Sequence, residues 1–74
     1  MKSPSIGNHL RRLRFEHGEL TQEALAQRVG VARQTIIAIE GGRYAPSLEL
    51  AMRLARSFGR SVDEVFFWTG DASG

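Results

Sequence analysis

The stretch Gln22–Gly41, QEALAQRVGVARQTIIAIEG, reads as two short helices joined by a tight turn. Leu25, Val29 and Val31, then Ile36 and Ile39, supply apolar positions at helical spacing on either side of that turn. Ala26 is small enough for a second helix to cross over it at short range. Gly30 has no Cβ and takes a positive φ at little steric cost, which a reversal in so few residues requires. The combined pattern is a helix-turn-helix, the unit whose second helix enters the major groove of DNA.

Working outward, Ser3-Pro4-Ser5 closes a loose leader (residues 1–5), and Ile6, Leu10 and Leu13 recur at helical spacing. They predict a first helix from Ile6 to about His17, ended by Gly18. Thr21 is the expected N-cap of the second helix, Gln22 to Val29, with Glu23 in its first turn. The third helix, Arg33–Glu40, begins after Ala32, a poor cap, and stops at Gly41-Gly42, one of them left-handed. Ser47 caps a fourth helix with Leu48, Ala51, Leu54, Ala55 and Phe58 inside and Gly59 at its end. Ser61-Val62-Asp63-Glu64 is a capping box opening a brief fifth helix. The expected fold is all-α, five helices and no sheet, over residues 6–68, with a frayed tail at 69–74.

Bulk properties narrow the function classes. Seventy-four residues make one domain with a modest core, and the absence of cysteine excludes disulfides and thiolate metal sites. No apolar run approaches the ~18 residues of a membrane span, and a cytoplasmic, nucleoid-bound protein is expected. Net charge is only +2, but it is uneven: residues 1–43 carry +3 and residues 44–74 carry −1. The excess lies on the half that holds the helix pair, as an anionic partner requires. Nine of the ten basic residues are arginine, which suits bidentate phosphate and guanine contacts and equally fits a GC-rich genome. His9 and His17 have no acidic or thiol partner at ligand spacing, so no metal site or other cofactor is expected. No nucleophile–base set, paired catalytic carboxylates or phosphate loop points to an enzyme.

The third helix carries the specific chemistry. With Ile36 and Ile39 inward, the opposite side presents Gln34, Ile37, Ala38 and Gly41, with Arg33 at the leading edge. Arg33 suits guanine O6 and N7, and Gln34 suits adenine N6 and N7. Ala38 lets the backbone approach closely. Ile37 either touches thymine methyl groups or packs at the helix edge. Gln22, at the start of the second helix, and Arg43, beyond the third, are placed for phosphates, with Thr35, Tyr44 and Ser47 as weaker candidates. For Gln22 and Arg43 the alternative is an ordinary solvated side chain.

Leu20-Thr-Gln-Glu-Ala-Leu-Ala26, Gly30-Val-Ala-Arg-Gln-Thr-Ile36, Ile39-Glu-Gly-Gly-Arg43 and Pro46-Ser-Leu48 resemble the Cro/phage-repressor (XRE) helix-turn-helix domains. The likeness runs from about Ile6 to Trp68. It implies a compact five-helix, lambda-repressor-like domain that binds duplex DNA as a two-fold dimer. It also implies Gln22 on a phosphate, Arg33, Gln34 and Ala38 at base-reading positions, and a structural ion pair between Arg14 and Glu40. Two positions depart from the family: Ala32 stands where Ser or Thr is common, and Gly41 where Asn is frequent. Both losses remove polar contacts and put more weight on dimerisation.

Phe66, Phe67 and Trp68 cannot all turn inward on so short a helix, so this end is expected to form a homodimer interface or to cap the core. A dimer would set two recognition helices about 34 Å apart on a pseudo-palindrome. The leading expectation is a transcriptional regulator acting as a repressor, since nothing else in the chain would recruit polymerase, with no small-molecule effector evident. The competing class is an antitoxin-like interaction module that also binds its own promoter; only about six residues follow Trp68 to wrap a toxin.

Overall fold

The computed structural model describes residues 6–69; the leader at 1–5 and the tail from residue 70 onward lie outside the described residues. In chain order the elements are β1 (Ile6–Asn8), α1 (Leu10–Glu16), α2 (Gln22–Val29), α3 (Arg33–Glu40), α4 (Leu48–Ser57), α5 (Val62–Val65) and β2 (Phe66–Trp68). Among the described residues, fourteen form one core, to which every helix contributes: Leu10 and Leu13, Leu25, Ala26 and Val29, Ile36 and Ile39, Leu50, Ala51, Leu54, Ala55 and Phe58, then Val65 and Phe66.

The helix ends follow the local chemistry. Thr21 Oγ1 accepts the Ala24 N–H at 3.0 Å, and Ser47 Oγ accepts that of Leu50 at 3.2 Å. Glu64 reaches back to the Ser61 N–H at 2.8 Å, the carboxylate half of a capping box. Accepting that N–H, and then the Ser61 hydroxyl, lowers the Glu64 pKa from its usual range. Gly30 closes α2 in the left-handed conformation, φ 77°, and the Val31 N–H returns to the Ala26 carbonyl at 3.0 Å. Ala26 is fully buried at the crossing of α2 and α3.

Two expectations about the architecture are corrected. The fold is not purely helical, because Ile6–Asn8 and Phe66–Trp68 pair antiparallel, Ile6 opposite Trp68 and Asn8 opposite Phe66. The first helix accordingly starts at Leu10, not Ile6. Gly7 explains why: a Cβ there would lie 2.5 Å from the Phe67 ring, so the position is reserved for close approach of that aromatic. Phe66, Phe67 and Trp68 are strand formers; Phe66 is buried, and Phe67 and Trp68 are exposed. Thr69, expected to begin the fraying, is half-buried, its methyl beside Gly7.

The other two corrections concern side-chain direction. Leu48 is not an inner residue of α4; it is 73% exposed, and Leu50 takes the inward place. The spacing 48, 51, 55 is helical too, but the side that faces the core is set by Leu50, Leu54 and Phe58. Phe66 belongs to the core, so it is removed from the expected dimer surface, leaving Phe67 and Trp68 exposed.

Candidate nucleic-acid interface

The orientation of α3 is fixed by burial. Ile36 and Ile39 are almost completely buried, while Arg33 and Gln34 are exposed and Ile37 and Ala38 half-buried. Turning Gln34 inward would expose both isoleucines, each worth roughly 1.5–3 kcal/mol when buried. The outer arc of α3 therefore presents Arg33, Gln34, Ile37 and Ala38 together, next to the exposed Gly41. Ala32 is extended and gives no side-chain cap to the first turn of α3.

A polar cluster locks α3 against α1. Arg14 Nε donates to Glu40 Oε2 at 2.6 Å and Arg14 Nη2 to Glu40 Oε1 at 2.9 Å, a bidentate pair. Arg14 Nη1 donates to the Leu20 carbonyl at 2.9 Å, and Gln22 Nε2 donates to Glu40 Oε1 at 3.2 Å. The two charged side chains are only 16% and 10% exposed. Each therefore depends on the other for compensation of its lost hydration. Gln22, expected on a phosphate from sequence, thus gives one of its two amide hydrogens to Glu40 and keeps the other to donate.

This cluster floors an open cleft of about 650 Å³ lined by Arg11, Arg14, Thr21, Gln22, Glu23, Arg33 and Glu40. Arg11 and Arg33 are exposed cations on its rim, and the start of α2 opens into it. The positive end of a helix and two guanidinium groups make a suitable place for a phosphate oxygen. On the far side of α3, Arg43, Tyr44 and Ser47 are exposed in the loop at 41–47, while Thr35 is half-buried. Ser47 Oγ already accepts the Leu50 N–H, so only its hydroxyl proton remains to donate.

Two functional neighbours were missed in the sequence. Arg11 lies one helical turn before Arg14 on the same face of α1, a spacing that places it on the cleft. Asn8 bridges elements: its Nδ2 donates to the Ile39 carbonyl at 2.9 Å, and its Oδ1 accepts the Leu10 N–H at 3.1 Å. An Asn two residues before a helix start is a readable capping signal; its grip on the end of α3 is not readable.

Known proteins share this fold. The helix-turn-helix family model HTH_3 matches residues 10–65. An uncharacterized HTH-type transcriptional regulator of Methanocaldococcus jannaschii is 50% identical over 64 residues, covering 86% of this chain and 96% of the relative. Another, from Methanothermobacter thermautotrophicus, is 58% identical over 55 residues, covering 73% of this chain and 80% of the relative. Among solved structures, the DNA-binding domain of the P22 c2 repressor superposes with a TM-score of 0.63 at 28% identity. That match covers 73% of this chain and 71% of the other.

Proposed function

The chain belongs to the helix-turn-helix family of transcriptional regulators, and from that premise we propose that it is a repressor that binds a pseudo-palindromic DNA site as a homodimer. The observation that carries this reading is the outward face of α3, where Arg33 and Gln34 stand exposed beside the half-buried Ile37 and Ala38. Laid in the major groove, Arg33 pairs with guanine and Gln34 with adenine, each good pair discriminating by about 1–3 kcal/mol. Ile37 meets a thymine methyl group, and Ala38 allows the close approach. Phosphates are held on one side by Arg11 and Gln22 and on the other by Arg43, with Thr35, Tyr44 and Ser47 in support. The structural likeness to a phage repressor supports the negative sign of regulation.

In-vitro selection from random duplexes, with affinity measured at several salt concentrations, tests the proposal. A two-fold symmetric consensus is expected, with log K falling against log[salt] at about −0.9 per neutralised phosphate. Failure to enrich any sequence, or affinity indifferent to salt, would refute it.

A further inference from the structure

We propose that the exposed face of α4 is where a second copy of this chain docks, antiparallel, about a two-fold axis near Met52. The inference rests on the dimer reading above and names its surface. Leu48 and Met52 sit one turn apart and are 73% and 56% exposed. With Glu49, Arg53 and Arg56 they line one shallow, largely apolar groove of about 390 Å³. At about 100° per residue, Leu48, Met52, Arg56 and Glu49 share one quadrant of the helix, away from Leu50, Ala51 and Leu54.

The charges select the occupant. Glu49 stands toward one end of the groove and Arg56 toward the other, with Met52 between them. An antiparallel copy brings Glu49 of each chain opposite Arg56 of the other, twice, while the methionines meet at the centre. A basic peptide would be repelled by Arg53 and Arg56, whereas in the antiparallel copy Glu49, paired with Arg53 of its own helix, is shared with Arg56 of the partner. The face is self-complementary, as a two-fold interface must be.

The same face is braced to the helix-turn-helix. Arg53 Nη1 donates to the carbonyl of Val29, the last residue of α2, at 3.3 Å, and Arg53 Nη2 reaches Glu49 at 2.6 Å. Only the loop at 41–47 separates the end of α3 from the start of α4. Joining two copies here fixes the recognition helices relative to each other. The aromatic end competes less well, because Phe67 is engaged by the His9 ring at 4.6 Å. One helix pair is smaller than the roughly 1,200–2,000 Å² of a standard interface, so the free dimer is weak and the paired half-sites on DNA reinforce it.

Sedimentation equilibrium on the whole chain, up to millimolar concentration, tests this with Met52→Glu, Glu49→Arg, Arg56→Glu, the double swap and Trp68→Ala. All four positions are exposed, and circular dichroism verifies that each variant is folded. The wild type is expected to dimerise with a micromolar-to-millimolar constant that Met52→Glu weakens roughly tenfold or more. Each single charge reversal weakens association, the double swap restores it, and Trp68→Ala leaves it unchanged. A wild type that stays monomeric, a dimer indifferent to Met52→Glu, a swap without rescue, or loss of the dimer in Trp68→Ala would overturn the assignment. Binding of the wild type to selected duplex, measured in parallel, judges the DNA reading separately, because an α4-deficient monomer still occupies a half-site.

Discussion

Arg14 and Glu40, on α1 and at the last position of α3, are joined by two parallel hydrogen bonds of 2.6 and 2.9 Å. Because α3 carries the side chains proposed to face the groove, this pair fixes how that helix is held against the rest of the domain. The fork geometry of a guanidinium is what two carboxylate oxygens match. Gln22 adds a third donor to the same carboxylate from α2, so one acid holds three helices in register.

Removing either partner is therefore expected to destabilise the fold, by less than the roughly 3–5 kcal/mol of a fully buried pair because both groups retain some solvent access. Urea unfolding of Arg14→Ala, Glu40→Ala and the double variant checks this. The double variant should cost clearly less than the two single changes added together. Additive effects would show that the contact carries no coupling.

Ala32→Ser should stabilise the chain by about 1 kcal/mol, because α3 begins without a side-chain cap and an extended residue there can supply one. Thermal unfolding measures it. In the proposed binding mode a hydroxyl at that position also lies on the DNA side, so duplex affinity should rise along with the melting temperature.

Gly7→Ala tests the terminal sheet. The added methyl would overlap the Phe67 ring, and relief requires moving that ring or parting the strands. A loss of roughly 1–3 kcal/mol is expected from such overpacking. Amide exchange at His9, whose N–H bonds the Val65 carbonyl at 2.9 Å, should accelerate more than exchange in the core of α2.

The capping carboxylate gives a pH signature. The Glu64 pKa is lowered in the folded chain from its usual 4.5, first by the Ser61 backbone N–H and then by the Ser61 hydroxyl. The folded state thus favours the ionised form, and its contribution is present above the unfolded pKa and lost as pH falls through the folded one. The stability difference between wild type and Glu64→Gln should be constant near neutrality and shrink in the acid range, as followed by unfolding at a series of pH values.

The helix-turn-helix was legible because its signals are local. Thr21, Gly30 and the paired isoleucines each act within one or two turns, and periodicity places them without reference to the rest of the chain. The resemblance that named Arg14 and Glu40 joined residues no local rule connects. What escaped was non-local or ambiguous in period. Ile6 sits at helical spacing from Leu10 yet lies in a strand, because its partner is Trp68 at the other end of the domain. Gly7, a poor helix residue, and the aromatic run at 66–68 were the available hints. Leu48 misled because its spacing from Ala51 and Ala55 fits a helix face, while Leu50 and Leu54 decided which face turned inward. Arg11 and Asn8 went unnoticed because their roles arise only once α1 packs beside α3.

The central claim, that the outer side of α3 reads bases, is tested most directly by repeating the duplex selection with Gln34→Ala and Arg43→Ala. Gln34→Ala is predicted to relax preference at one symmetric pair of positions by about 1–3 kcal/mol per half-site, leaving the remaining consensus in place, whereas Arg43→Ala weakens all sequences alike. A consensus unchanged by Gln34→Ala would contradict the account.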